Sequence, residues 1–333
     1  MTRNRLALLA VALAVVLAPG AEAYLKLGTS VNGDVLGIRW TTFPVRYFIF
    51  DGDDDRVSAD ELRAAVARAF TTWTESPSAR ISTTFGGFTT AEPFDDDQVS
   101  VIGFQARPEM ERTLGAATFE IDTSNGQLVA ADIFFNSTFD WSVAPSGESG
   151  RFDLESVAVH EIGHLLGLGH SALGETELNS SGGRTILGKR AVMFPIAYPR
   201  GSIEDRTIEA DDIAGLGEVY ASSATTRGFG AIRGRVTLGG EGLFGAHVVA
   251  LNIQTGALVA GFSLTDRGDF VISGLEPGLY VVRVEPLDDA DADSFFDEDT
   301  DVEIDFRPGY FPRLVGVPPG GAGEAIVITV AAK

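Results

Sequence analysis

The sequence predicts two domains in series, an α+β domain and then an all-β domain, and three observations carry that expectation. The chain has 333 residues, and at roughly 150 residues per domain that length favours two. Apolar stripes of helical period occur only before residue 221, interleaved with runs rich in β-branched and aromatic residues. Beyond a small, polar, Gly-containing stretch at 221–230, only short strand-like runs follow, separated by Gly or Pro turns.

Residues 1–23 read as a secretory signal. Arg3 and Arg5 precede an unbroken apolar run at 6–17, too short to span a bilayer comfortably, and Ala21-Glu22-Ala23 is an A-x-A cleavage site. Residues 24–37 form an N-terminal segment too short to fold alone. Residues 38–220 form the first domain. Residues 39–50 read as a strand. Residues 58–75 read as a helix, with Ser58 and Glu61 as a capping box and Leu62, Ala65, Val66, Ala69, Phe70 and Trp73 on one stripe. Three more strands are expected at 98–104, 114–121 and 128–135, the last two joined by an Asn125-Gly126 turn. A second helix is expected at 153–166, capped by Asp153 and ended by Gly167, and a third near 208–220.

Residues 221–230 are the expected linker. Residues 231–333 are expected to fold as an antiparallel β-sandwich, with strands at 231–238, 246–253, 258–265, 269–273, 278–285 and 325–330. An acidic run at 288–305 sits inside it. Asp289, Asp291 and Asp293 fit the first ligand positions of an EF-hand loop, but Ser294 replaces the Gly and Thr300 the bidentate Glu. The run therefore reads as a solvated loop.

Composition narrows the function. Asp and Glu number 47 against 25 Lys and Arg, a net charge of −22, which excludes a phosphate-neutralising nucleic-acid binder and an anionic-membrane binder. The chain has no Cys, which excludes disulfides, thiolate metal sites and thiol nucleophiles. No segment after the signal is apolar enough to anchor in a membrane. The expected protein is secreted or periplasmic, and a monomer.

Of four His, three fall within eleven residues: His160-Glu161-Ile162-Gly163-His164-Leu165-Leu166-Gly167-Leu168-Gly169-His170. His160 and His164 are i and i+4 and stack on one helix face. Gly167 can end the helix with positive φ, letting His170 arrive from outside as a third ligand. Three imidazoles and one open position make a catalytic zinc site, since structural sites close all four positions. Glu161, beside that face, can take a proton from a zinc-activated water.

The string His-Glu-x-x-His-x-x-Gly-x-x-His resembles the metzincin signature. Residues 191–195 resemble the Met-turn, with Met193 packed beneath the metal. Ser171 directly after the third His resembles the matrixin branch, the catalytic domain of matrix metalloproteinases. The resemblance spans roughly residues 38–220 and implies an α+β metzincin fold, a twisted mixed sheet of mostly parallel strands with an antiparallel edge strand and three helices. It implies that residues 114–120 dock an extended peptide by strand addition. It also implies a substrate pocket lined by Leu114, Pro195, Ile196, Ala197 and Tyr198, whose apolar character predicts a preference for Leu-like residues. Asp211 and Asp212 resemble an acidic pair in the final helix and read as structural.

Departures accompany the likeness. Matrixins of animals carry a second zinc held partly by His, but here Phe134 stands in that region and no His does, so one zinc is expected. The calcium-binding acids are thinned, with Asn136 where an Asp is usual; Asp122, Asn125 and Asp132 are the remaining candidates for Ca²⁺. Asp34, in the N-terminal segment, is a candidate to block the zinc before activation. Residues 231–285 resemble the transthyretin-like modules of secreted carboxypeptidases, through 232–236, 265–270 and 275–280. His247, mid-strand, reads as an ordinary strand residue.

The expected function is a secreted zinc-dependent endopeptidase acting on protein or peptide substrates, with Glu161 as general base. The alternative is a surface- or matrix-binding protein whose sandwich carries the function beside a non-catalytic zinc domain. The intact Glu161 separates them, because a purely structural zinc has no use for a base.

Overall fold

The computed structural model describes residues 26–31, 34–52, 56–95, 97–122, 124–178, 184–221, 228–287, 295–296 and 300–333. The expected signal, residues 1–23, and the EF-hand-like acids Asp289, Asp291 and Asp293 lie outside the described residues, as do 222–227 of the expected linker.

The first domain opens with a hairpin, β1 (Gly28–Val31) and β2 (Asp34–Gly37); the side chain of Asp34 lies outside what is described. It continues with β3 (Val45–Phe50), α1 (Ala59–Thr74), β4 (Thr83–Thr89), β5 (Ser100–Gln105), β6 (Gly115–Asp122) and β7 (Gln127–Asn136). Two short strands follow, β8 (Trp141–Ser142) and β9 (Phe152–Asp153), then α2 (Leu154–Leu165), the hairpin β10 (Gly174–Leu178) and β11 (Arg184–Lys189), and α3 (Ala210–Tyr220). The main sheet has the order β4-β3-β5-β7-β6. All its pairs are parallel except β6–β7, so β6 is an antiparallel strand at the edge.

Local chemistry places these elements. Ser58 caps α1, its N–H donating to Glu61 Oε2 at 3.0 Å while its hydroxyl receives the Glu61 N–H. The stripe from Leu62 to Trp73 is buried and packs on α2, where Trp73 Nε1 donates to the Val159 carbonyl at 2.8 Å. β3 begins at Val45 rather than residue 39, because Pro44 has no N–H to give a ladder. β4, with Gly86 and Gly87 at its centre, was not among the expected strands; the pair breaks its alternation, and Gly87 has φ +125°. The β10–β11 hairpin was likewise not expected.

The second part contains β12 (Gly230–Leu238), β13 (Glu241–Gly242), β14 (His247–Asn252), β15 (Leu258–Phe262), β16 (Asp269–Leu275) and β17 (Gly278–Glu285). The short strands β18 (Phe306–Arg307), β19 (Gly309–Tyr310) and β20 (Val315–Val317) follow, and β21 (Ile326–Ala332) ends it. One sheet runs β13-β12-β21-β18 with β16 on β12; the other runs β15-β14-β17-β19 with β20 on β17. Inward residues of both sheets, among them Ile232, Val236, Val248, Phe270, Val282 and Ile328, share one core. One expectation is corrected: the pairing is not wholly antiparallel, because β21 returns beside β12 in the same direction. The long connection between them permits that parallel pair. His247 is a buried strand residue paired with Glu285 at 3.2 Å.

The two parts pack directly on one another. A Cβ on Gly274 of β16 would lie 2.7 Å from the Ala214 Cβ of α3, so the backbones meet there. Leu173 and Ala191 of the first part join Val249 and Ala260 of the second in one apolar cluster. Ala172 and Phe194 join Phe262, Leu287, Phe295 and Phe296 in another.

Candidate metal centre

Helix α2 carries the first two imidazoles. Asp153 caps it, accepting the Ser156 N–H at 2.9 Å, and is itself held by Arg206 through Nε and Nη2 at 2.9 and 2.5 Å. Gly167 ends it with φ +90°; a Cβ there would also meet the Ile38 carbonyl oxygen at 2.5 Å. The chain then turns back without regular structure and delivers His170.

The three rings converge. Centroids lie 4.8 Å apart for His160–His164, 5.5 Å for His160–His170 and 4.8 Å for His164–His170. One nitrogen from each lies within 4.8 Å of the others, and among the described residues these are the three whose ligand atoms gather in this way. His160 Nδ1 donates to the Val192 carbonyl and His164 Nδ1 to the Leu168 carbonyl, both at 2.8 Å. A carbonyl only accepts, so Nδ1 carries the hydrogen and Nε2 keeps its lone pair for a metal. Burial and the neighbouring imidazoles drive the His160 pKa well below the usual value and that of His164 to about 3. Neutral rings are the form a divalent metal binds. The donor set therefore fits zinc.

Glu161 lies beside the triad, 5% exposed, with Oε2 buried and, among the described residues, without a hydrogen-bond partner. Burial pushes its carboxyl up to about 8. Gly115 on the edge strand makes room for it: a Cβ there would sit 3.2 Å from both Glu161 Cγ and Oε1. Met193 is fully buried beneath the site, and a Cβ on Gly163 would come within 2.2 Å of its sulfur. The glycine inside the motif is thus the space that Met193 occupies.

Helix α3 holds the Met193 turn. Asp212, fully buried, accepts the Val192 N–H at 2.8 Å, the Met193 N–H at 3.1 Å and the Glu209 N–H at 2.9 Å. Since the Val192 carbonyl also orients His160, the carboxylate acts one step behind that ring. Asp211 accepts the Ser171 hydroxyl at 2.5 Å. Neither role was visible beforehand beyond the reading of both acids as structural. Their signal was a pair of adjacent acids at the start of an apolar helix.

The triad and Glu161 open onto a cleft of about 840 Å³. Leu114, Pro195, Ile196, Ala197 and Tyr198 all line it, as does the edge strand from Gly115 to Ala117. Lys189 and Asp205 also line it, paired at 2.7 Å. That ion pair was not anticipated.

The calcium candidates are not brought together, which corrects that expectation. Asp122 accepts from Ser124 and Asn125 within the β6–β7 turn. Asp132 instead receives the N–H groups of Phe94 at 2.6 Å and Val101 at 2.7 Å. Asp122 pairs with Gln127 and Thr118 with Asp132, so the two acids lie about 13 Å apart along the ladder. Phe134 is buried against the Phe94 ring at 5.1 Å.

Burial raises Asp132 to about 7 and Asp211 to about 8. Both values exceed the ordinary carboxyl pKa of about 4, so the folded chain binds these protons more tightly than the unfolded one. Their contribution is most favourable below that ordinary value and declines as pH rises through the folded values. The depressed His160 and His164 act in the opposite sense below about pH 6.5, but the raised acids, Glu161 and Asp212 included, outnumber them, so the metal-stripped protein is expected to be more stable at pH 5 than at pH 8. Urea midpoints at the two pH values check this, and a higher midpoint at pH 8 would contradict it.

Comparison with known proteins agrees with this geometry. The matrixin family model matches residues 39–181. This stretch is similar to the matrixin family. Metalloendoproteinase 1 of Glycine max is 32% identical over 173 residues, 48% of this chain and 46% of that protein. Metalloendoproteinase 1-MMP of Arabidopsis thaliana is 32% identical over 181 residues, 52% of this chain and 42% of that protein. Matrix metalloproteinase-23 of Homo sapiens is 29% identical over 195 residues, 55% of this chain and 43% of that protein. The chain thus spans a little under half the length of these relatives. The matched span includes His160, Glu161, His164 and His170; Met193 and Asp212 lie beyond it but are bound to it by the contacts above.

Proposed function

We propose that the protein is an exported zinc endopeptidase that cuts extended segments of protein substrates internally. The observation that carries the reading is the convergence of three imidazoles beside a buried carboxyl, whose Oε2 has no hydrogen-bond partner among the described residues, in an open cleft. His160, His164 and His170 are the proposed ligands and Glu161 the proposed base. Zinc, when bound there, supplies a Lewis acid for the substrate carbonyl and brings the pKa of water toward about 7. Glu161 takes the proton of the attacking water at a carboxylate oxygen and hands it to the departing amine nitrogen. The outer edge of β6 offers N–H and C=O groups to an extended peptide, which aligns the scissile bond over the triad. Residues 1–23 support export, through their basic start, apolar run and A-x-A site.

Incubation of the full chain with an unfolded protein, with and without a chelator, tests this. Internal cleavage that stops with chelator is expected; no cleavage under either condition would favour a binding role for the sandwich.

Two finer expectations follow. The Pro195–Tyr198 wall favours Leu-like side chains after the scissile bond, and a peptide-library profile favouring acidic residues there would overturn it. Gly115→Ala pushes a methyl against Glu161, so kcat/KM is expected to fall about tenfold with zinc content unchanged. Steady-state kinetics with metal analysis check this.

A further inference from the structure

His160 and His164 are aimed by helix α2 and by the carbonyls of Val192 and Leu168, all in the part before the sandwich. His170 is not in a helix or strand, and residues 171–173, which follow it directly, have their own supports. Met193 supplies one support, its carbonyl accepting the Ser171 N–H at 2.9 Å. Arg190 supplies another, its N–H donating to the Leu173 carbonyl at 2.8 Å, and further contacts lead into the sandwich. The Ser171 hydroxyl donates to Asp211 Oδ2 at 2.5 Å, and Asp211 Oδ1 accepts the Ala260 N–H of β15 at 2.8 Å. Ala172 and Leu173 are buried in the two clusters shared with the sandwich. The Phe295 ring, 1% exposed, stands nearly perpendicular to the His170 ring at 6.5 Å and backs onto Phe262 at 6.0 Å.

We propose that the C-terminal sandwich is a working part of the metal centre, fixing the third ligand His170 through the chain Ala260–Asp211–Ser171 and the edge of Phe295. Asp211 and Phe295 are positioning residues on this account. The inference rests on the reading of the triad as a zinc site. It also gives the sandwich a role that a tethered substrate-binding module would not have. Residues that orient metal ligands from behind typically set affinity by about 10- to 100-fold. Coupling of this kind is mutual, so zinc must tighten the domain contact as much as the contact tightens zinc.

The test uses the full chain stripped of metal and titrated with zinc against a chelator of known affinity, with hydrogen exchange followed at the Ala260 amide. In the wild type, zinc is expected to slow exchange at Ala260. Asp211→Ala and Phe295→Ala are each expected to weaken zinc binding, Asp211→Ala by about 10- to 100-fold, and Asp211→Ala to abolish the zinc effect on exchange. Asp211→Asn retains an acceptor for Ala260 and a polar atom for Ser171, and is expected to restore most of the affinity. Zinc affinity within twofold of wild type in both Asp211→Ala and Phe295→Ala would overturn the proposal, and so would exchange at Ala260 indifferent to zinc. The exchange measurement needs no variant, so misfolding of one leaves the answer intact. A wild type that does not bind zinc at all would instead defeat the metal-site reading itself, and this inference with it.

Discussion

With Glu161 replaced by Gln, zinc is expected still to bind while peptide hydrolysis falls by about 10²- to 10⁴-fold, the usual contribution of a positioned general base. Gln matches Glu in shape, so the packing against Gly115 is kept, and none of the three imidazoles is touched. What is lost is the carboxylate that can accept a proton. The side chain is 5% exposed and its Oε2 has no hydrogen-bond partner among the described residues. A buried acid without a partner is costly to keep, and a proton-transfer role accounts for it. Turnover of an internally quenched peptide, with zinc content measured on the same samples, checks this. A zinc-loaded Gln variant cutting at the wild-type rate would remove Glu161 from the chemistry.

Asp212→Ala is expected to be the most destabilising change near the site, on the order of 3–5 kcal/mol. The carboxylate accepts three backbone N–H groups, from Val192, Met193 and Glu209, and none of its surface is exposed. Alanine leaves those donors buried with no acceptor. The damage should reach the metal as well, because the Val192 carbonyl orients His160. Asp212→Asn keeps one acceptor oxygen and should fall between wild type and Ala. Urea unfolding of the three proteins measures the order. An Ala variant within 1 kcal/mol of wild type, on the scale of an ordinary surface change, would show that the Met193 turn is held by other means.

What could be read beforehand was local. The i, i+4 spacing of His160 and His164, the Ser58 cap and the glycine after α2 are short-range facts, and a helix converts them into geometry without help from the rest of the chain. What could not be read was long-range. Nothing near Asp212 says that it will reach back twenty residues to Val192, and nothing near Ala260 says that its amide will meet Asp211. β4 was obscured because Gly86 and Gly87 interrupt its alternation, although its neighbour β3 accepts it as a parallel edge. The parallel return of β21 depends on a connection too long for any local signal. The calcium grouping failed for the same reason: Asp122, Asn125 and Asp132 are close in sequence, but a hairpin ladder separates the first two from the third.

The most direct measurement is peptidase activity of the full-length, metal-stripped chain against equivalents of zinc added. Activity should rise in proportion to zinc and level off at one equivalent, since His160, His164 and His170 form the one such triad among the described residues. Full activity in the stripped protein, or none at any zinc level, would contradict the account.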